Sequence, residues 1–64
     1  MEYQIGDKVT SKYHGIQIGE VVKLGEPCCG RPVIIVKYDD RYLDNPEKIL
    51  SVTRGFVIDG WELA

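Results

Sequence analysis

Val33-Ile34-Ile35-Val36-Lys37-Tyr38-Asp39-Asp40 is the stretch that decides how this 64-residue chain folds. Four β-branched aliphatics in a row lose side-chain freedom in a helix and fit a pleated surface. Gly30-Arg31-Pro32 precedes the run and an acidic pair follows it, so its length and its punctuation are those of a strand over Val33–Asp39. A period of two places Ile34, Val36 and Tyr38 on one face and Val33, Ile35 and Lys37 on the other. If the first set faces the core, two large aliphatics stand on the outer face. Either the following segment, 39–48, covers Val33 and Ile35, or they belong to a contact with another chain.

Towards the N-terminus the same grammar continues. Ile5-Gly6-Asp7 reads as a turn into a strand, Lys8–Tyr13, with Val9, Ser11 and Tyr13 on one face. His14-Gly15 is the next turn, and Ile18–Leu24 the next strand. Val21 and Leu24 are three residues apart, which breaks strict alternation and predicts a bulge near Val22. Gly25 to Pro32 holds two Gly and two Pro among eight residues and reads as a loop.

Towards the C-terminus, Asp44-Asn45-Pro46-Glu47-Lys48 has the cap, the proline and the acidic first turn of a short helix, one turn at most. Ile49–Ile58 supplies one long strand bent at Arg54-Gly55, or two short ones. Asp59-Gly60 turns the chain into a last strand at Trp61–Ala64. No window keeps the helical spacing of apolar residues for three turns. The expected fold is all-β: a small barrel of about five or six short strands spanning 1–64 as a single domain. Its expected core is Val9, Val21, Ile34, Val36, Tyr38, Val52 and Trp61.

Composition narrows the function classes. Apolar residues at 44% and charged residues at 28% suit a globular domain rather than a disordered one. A chain this short buries only about 60% of its unfolded surface, so its core is thin. No apolar run approaches the roughly 20 residues that span a bilayer, so no membrane association is expected. The first residues, Met1-Glu2-Tyr3-Gln4-Ile5, lack the basic and apolar start of a secretion signal, which makes a cytoplasm the expected compartment. Net charge is −2, and from Asp39 onward three cations face six carboxylates. Nucleic-acid binders usually carry a basic excess, which this chain lacks.

Chemistry-bearing residues are sparse. Cys28 and Cys29 are adjacent, and bridging neighbours requires a strained ring, so they cannot staple distant strands; this fits a reducing compartment. With His14 they make three candidate ligands, two of them adjacent, short of a structural zinc set. No metal and no cofactor are expected. The single His has no nucleophile pattern around it, and no glycine-rich loop opens a helix. Asp39 and Asp40 would point to opposite faces of a strand and so would not converge on a substrate. No catalytic residue is assigned, and the chain is not expected to be an enzyme.

Gly6-Asp7-Lys8-Val9, Gly15, Gly19-Glu20-Val21 and Leu24 resemble the opening of KOW and Tudor-like domains, which are SH3-like barrels. Val36-Lys37-Tyr38-Asp39-Asp40 resembles their third strand, and Trp61-Glu62-Leu63 their closing one. The resemblance implies a small barrel and says little about ligands. The opening also resembles type II dihydrofolate reductases, tetrameric barrels of the same kind. Their pore-lining Val-Gln-Ile-Tyr run has no counterpart here, because Gln4 and Gln17 both precede the core strands, so their catalytic role does not carry over.

Two binding modes follow. The leading expectation is contact with another protein or a second copy of the chain, centred on Val33 and Ile35 with Arg31 and Tyr42 at the rim. The alternative is a KOW-like nucleic-acid module using Lys8, Lys12, His14 and Lys23. A divergent reductase-like tetramer is the distant third.

Overall fold

The β-branched run is in the middle of β3 (Arg31–Asp39), and the strands around it follow the same alternation: β1 (Lys8–Ser11), β2 (Ile16–Cys28), β4 (Ser51–Val57) and β5 (Trp61–Leu63). The computed structural model describes residues 2–39 and 51–64, and among these there is no helix. The strands form one antiparallel sheet in the order β4-β3-β2-β1-β5, a meander whose last strand returns to lie beside the first.

β2 is what bends this sheet. Its thirteen residues pair with β1 at one end and with β3 along the rest. The ladder passes from Val21↔Val36 to Lys23↔Ile35, so Val22 is the extra residue of a bulge, as the broken alternation predicts. Gly19 is on the inner side of the bend, where an added Cβ would run into Val36 Cγ1. The two edge strands remain unpaired with each other, but the curl brings their rings together: Phe56 of β4 and Trp61 of β5 have centroids 4.9 Å apart.

The core is one cluster of Tyr3, Val9, Ile16, Val21, Ile34, Val36 and Trp61, with Tyr38, Phe56 and Ile58 packed against it. Five of the seven expected core residues are buried here. Tyr38 and Val52 pair with each other in the β3–β4 ladder and are only half-buried. Tyr3 and Ile16 are additions. The Tyr3 hydroxyl donates to the Trp61 carbonyl at 2.7 Å, and burial, with Glu62 and Asp7 nearby, raises its pKa above the ordinary value of 10.0. The turn at Gly6, with φ of 96°, is locked by bonds from Gly6 N to Val21 O and from Val21 N to Asp7 O.

Three expectations need correction. β1 stops at Ser11, so Tyr13 does not join Val9 and Ser11 inside; it lies in the turn before β2, 80% exposed. The segment Gly25–Pro32 is the end of a long hairpin rather than a loop. Cys28 pairs with Arg31 around a two-residue turn, Cys29-Gly30, whose φ values of 56° and 77° suit the twist of antiparallel strands. Pro27 and Pro32 are tolerated there because the ladder has a register shift between Gly25 and Cys28. Finally, β4 runs unbroken through Arg54-Gly55, each residue in register with β3. Gly55 thus marks a bare spot on the sheet, not a bend. The short helix expected at 44–48, Tyr42 and nearly all of the 39–48 cover lie outside the described residues.

Candidate functional site: a groove along an unpaired edge

The outer face of β3 settles part of the Val33–Ile35 question. Both side chains are half-buried, and the strands beside them supply two glycines. Gly25 is opposite Val33, and Gly55 is opposite Ile35. A Cβ built at Gly55 would be 3.9 Å from both Val33 Cγ1 and Ile35 Cγ1, and one at Gly25 only 2.9 Å from Val33 Cγ1. The aliphatics therefore lean over bare backbone, and the sheet itself covers part of them. Val33 also lines a smaller apolar hollow of about 410 Å³ with Leu24, Pro32 and Ile58.

The larger feature is an open groove of about 900 Å³. One wall is Gly55, Phe56 and Val57, three consecutive residues of β4. Successive strand residues point to opposite faces, so a groove touched by all three runs against the strand's edge rather than over a face. That edge is free: among the described residues β4 has a neighbour on one side only.

The phase of its hydrogen bonds can be worked out. Ile58 N donates to Pro32 O at 2.9 Å, which makes that pair a hydrogen-bonded one. Alternation along the β3–β4 register then turns Val52, Arg54 and Phe56 towards β3. Thr53, Gly55 and Val57 direct their N–H and C=O groups outward. Two of these three line the groove.

The opposite wall comes from the turn between β1 and β2. Tyr13 and His14 line it, and His14 is part of an aromatic stack, with its ring 5.0 Å from Phe56 and 5.6 Å from Trp61. The Tyr13 ring lies where a side chain at Gly60 would otherwise stand, which fixes the position of the turn; Gly60 itself has φ of 72°. At one end Arg31 and Asp59 form an exposed ion pair at 3.4 Å beside the hairpin tip. Exposed pairs of this kind are worth about 0–1 kcal/mol, so a partner's carboxylate can recruit Arg31 at small cost.

The expected binding residues thus divide. Arg31 lines the groove, Val33 and Ile35 flank it on the next strand, and Tyr42 lies outside the described residues. Of the four basic positions, only His14 lines the groove. Lys8 is paired with Glu20 at 3.4 Å, Lys12 is in the exposed turn, and Lys23 stands beside Ile35 on the outer face. The Gly55–Val57 edge has no signal in the sequence. Tyr13 continues the sequence alternation of Val9 and Ser11, but β1 ends before it. No helix among the described residues is long and apolar enough to cross a membrane. No protein-family model, curated protein or solved structure matches the chain.

Proposed function

We propose that the chain is a binding module without chemistry of its own, which takes an extended segment of another polypeptide as an added strand along the edge of β4. The observation that carries this reading is the groove against that edge, where Gly55 and Val57 present backbone groups that have no strand partner among the described residues. In strand addition the main-chain bonds supply affinity and alternate side chains supply specificity. Here one set of alternate side chains would meet Tyr13 and His14. The other would lie beside Val57, Val33 and Ile35. Arg31 favours an acidic residue at one end. The strand order and the curl of β2 support reading 1–64 as one small SH3-like barrel whose open seam is the binding groove.

The test is selection of peptides from a displayed random library, followed by affinity measurement on variants. Gly55→Pro removes an outward N–H while leaving the β3 ladder intact, since proline is tolerated at such edge positions. It should weaken binding at least tenfold with the fold retained by circular dichroism, and Tyr13→Ala should weaken it comparably. A library that yields no binder, or binders indifferent to both changes, would overturn the proposal. A concentration-dependent dimer by light scattering that Gly55→Pro abolishes would assign the same edge to a second copy of the chain.

A further inference from the structure

The tip of the β2–β3 hairpin carries two thiols that the fold does not use and that line the end of the groove beside Arg31. Cys28 and Cys29 are both exposed, and their Sγ atoms are 3.6 Å apart. The backbone places their Cβ atoms next to each other: Cys28 is the last residue of β2, paired with Arg31, and Cys29 occupies the first turn position at φ of 56°. Two-residue turns with positive φ are the commonest connections between hairpin strands, because their twist matches that of the strands. The two sulfurs therefore stand side by side, exposed at the end of the groove. Bridging them directly requires a strained ring, so the dithiol is the favoured form.

The spacing selects what the pair can hold. A three-coordinate pyramidal centre with bonds of about 2.3 Å and an S–X–S angle of about 95–110° needs sulfurs about 3.4–3.8 Å apart, whereas a linear two-coordinate ion needs about 4.6 Å. The observed 3.6 Å matches the first and falls well short of the second. Inserting one atom between the sulfurs also enlarges the ring and relieves the strain of a direct bridge. Among the described residues no third His, Cys, Asp or Glu joins them in a metal-sized cluster. A cation that demands four protein ligands is poorly served. A trivalent centre that already carries one substituent, and needs only two sulfurs, is fully served.

We infer that Cys28 and Cys29 form a chelating dithiol site for a trivalent thiophilic centre, a monosubstituted arsenic(III) compound being the simplest member of the class. With phenylarsine oxide the balance is simple. Two S–H bonds and the arsenic–oxygen bond break, two arsenic–sulfur bonds form, and the oxygen leaves as water with both protons. Arsenic remains trivalent, so neither an oxidant nor a reductant is needed. Soft thiolate ligands are the ones that select such centres.

The experiment is titration of the reduced chain with phenylarsine oxide, read by intact mass and free-thiol count, with an excess of a monothiol competitor present throughout. One arsenical per chain, with loss of both free thiols and resistance to the monothiol, is the expected result. Cys28→Ser and Cys29→Asn should each lower affinity at least a hundredfold; asparagine suits the positive φ at the second position. Circular dichroism should be unchanged, because both residues are at an exposed turn. Adducts that the monothiol strips from the wild-type chain, or single variants that bind as well as it does, would overturn the inference.

Discussion

Gly19→Ala and Val36→Ala should each destabilise the chain, and together they should cost far less than their sum. Val36 is fully buried, and truncation removes two carbons at about 0.8 kcal/mol each plus a cavity contribution, about 2–3 kcal/mol in all. Gly19→Ala acts in the opposite sense: its Cβ runs into Val36 Cγ1, with Lys37 O and Tyr38 Cβ each 3.5 Å away. Overpacking of this kind costs about 1–3 kcal/mol, reduced slightly by the lost freedom of the unfolded chain. In the double variant the methyl at 19 occupies the space vacated at 36, so the net loss falls to about 1–2 kcal/mol. The expected coupling is about 3 kcal/mol, at the upper end for residues in contact. Urea unfolding followed by Trp61 fluorescence gives all four corners of the cycle. Additivity within about 0.5 kcal/mol would refute the claim that β2 bends inward onto β3 at this point.

Ser11→Ala should stabilise the chain by about 1 kcal/mol in the same assay, because the buried Ser11 Oγ has no hydrogen-bond partner; a loss of stability would show that the hydroxyl is satisfied in solution. Tyr3 gives a pH dependence. With its folded pKa raised, the unfolded chain ionises first, so this stabilisation is complete below pH 10.0 and declines as pH climbs from there through the folded value. Tyr3→Phe should flatten that alkaline decline, and an unchanged slope would contradict the assignment. If nucleic acid is the ligand instead, mixed RNA and DNA should bind at low salt, weaken steeply as salt is added and be disrupted by Lys8→Glu or Lys12→Glu. No shift at low salt would remove that alternative.

The fold was legible where alternation is anchored by large side chains. Val9, Val21, Ile34, Val36 and Trp61 all reach the core, and the bulge at Val22 follows from a broken period. The errors came where a side-chain pattern says little about the backbone. Tyr13 continues the alternation of β1, yet the chain has already turned, since a strand's end is set by pairing with its neighbour. The prolines of the hairpin tip look like loop residues because tolerance of proline depends on which hydrogen bonds a position must make. The groove was beyond reach for a related reason. An unpaired edge is a property of strand order, and no local composition encodes which strand of a meander will lack a neighbour.

Amide hydrogen exchange, with and without a selected peptide, tests the central claim most directly. Val52, Arg54 and Phe56 bond to β3 and should be protected in both states. Thr53, Gly55 and Val57 should exchange freely in the unbound chain and become protected on binding, with Gly55 and Val57 most affected. Binding that leaves those amides unprotected, or that protects only β5 or the outer face around Ile35, would contradict strand addition at β4.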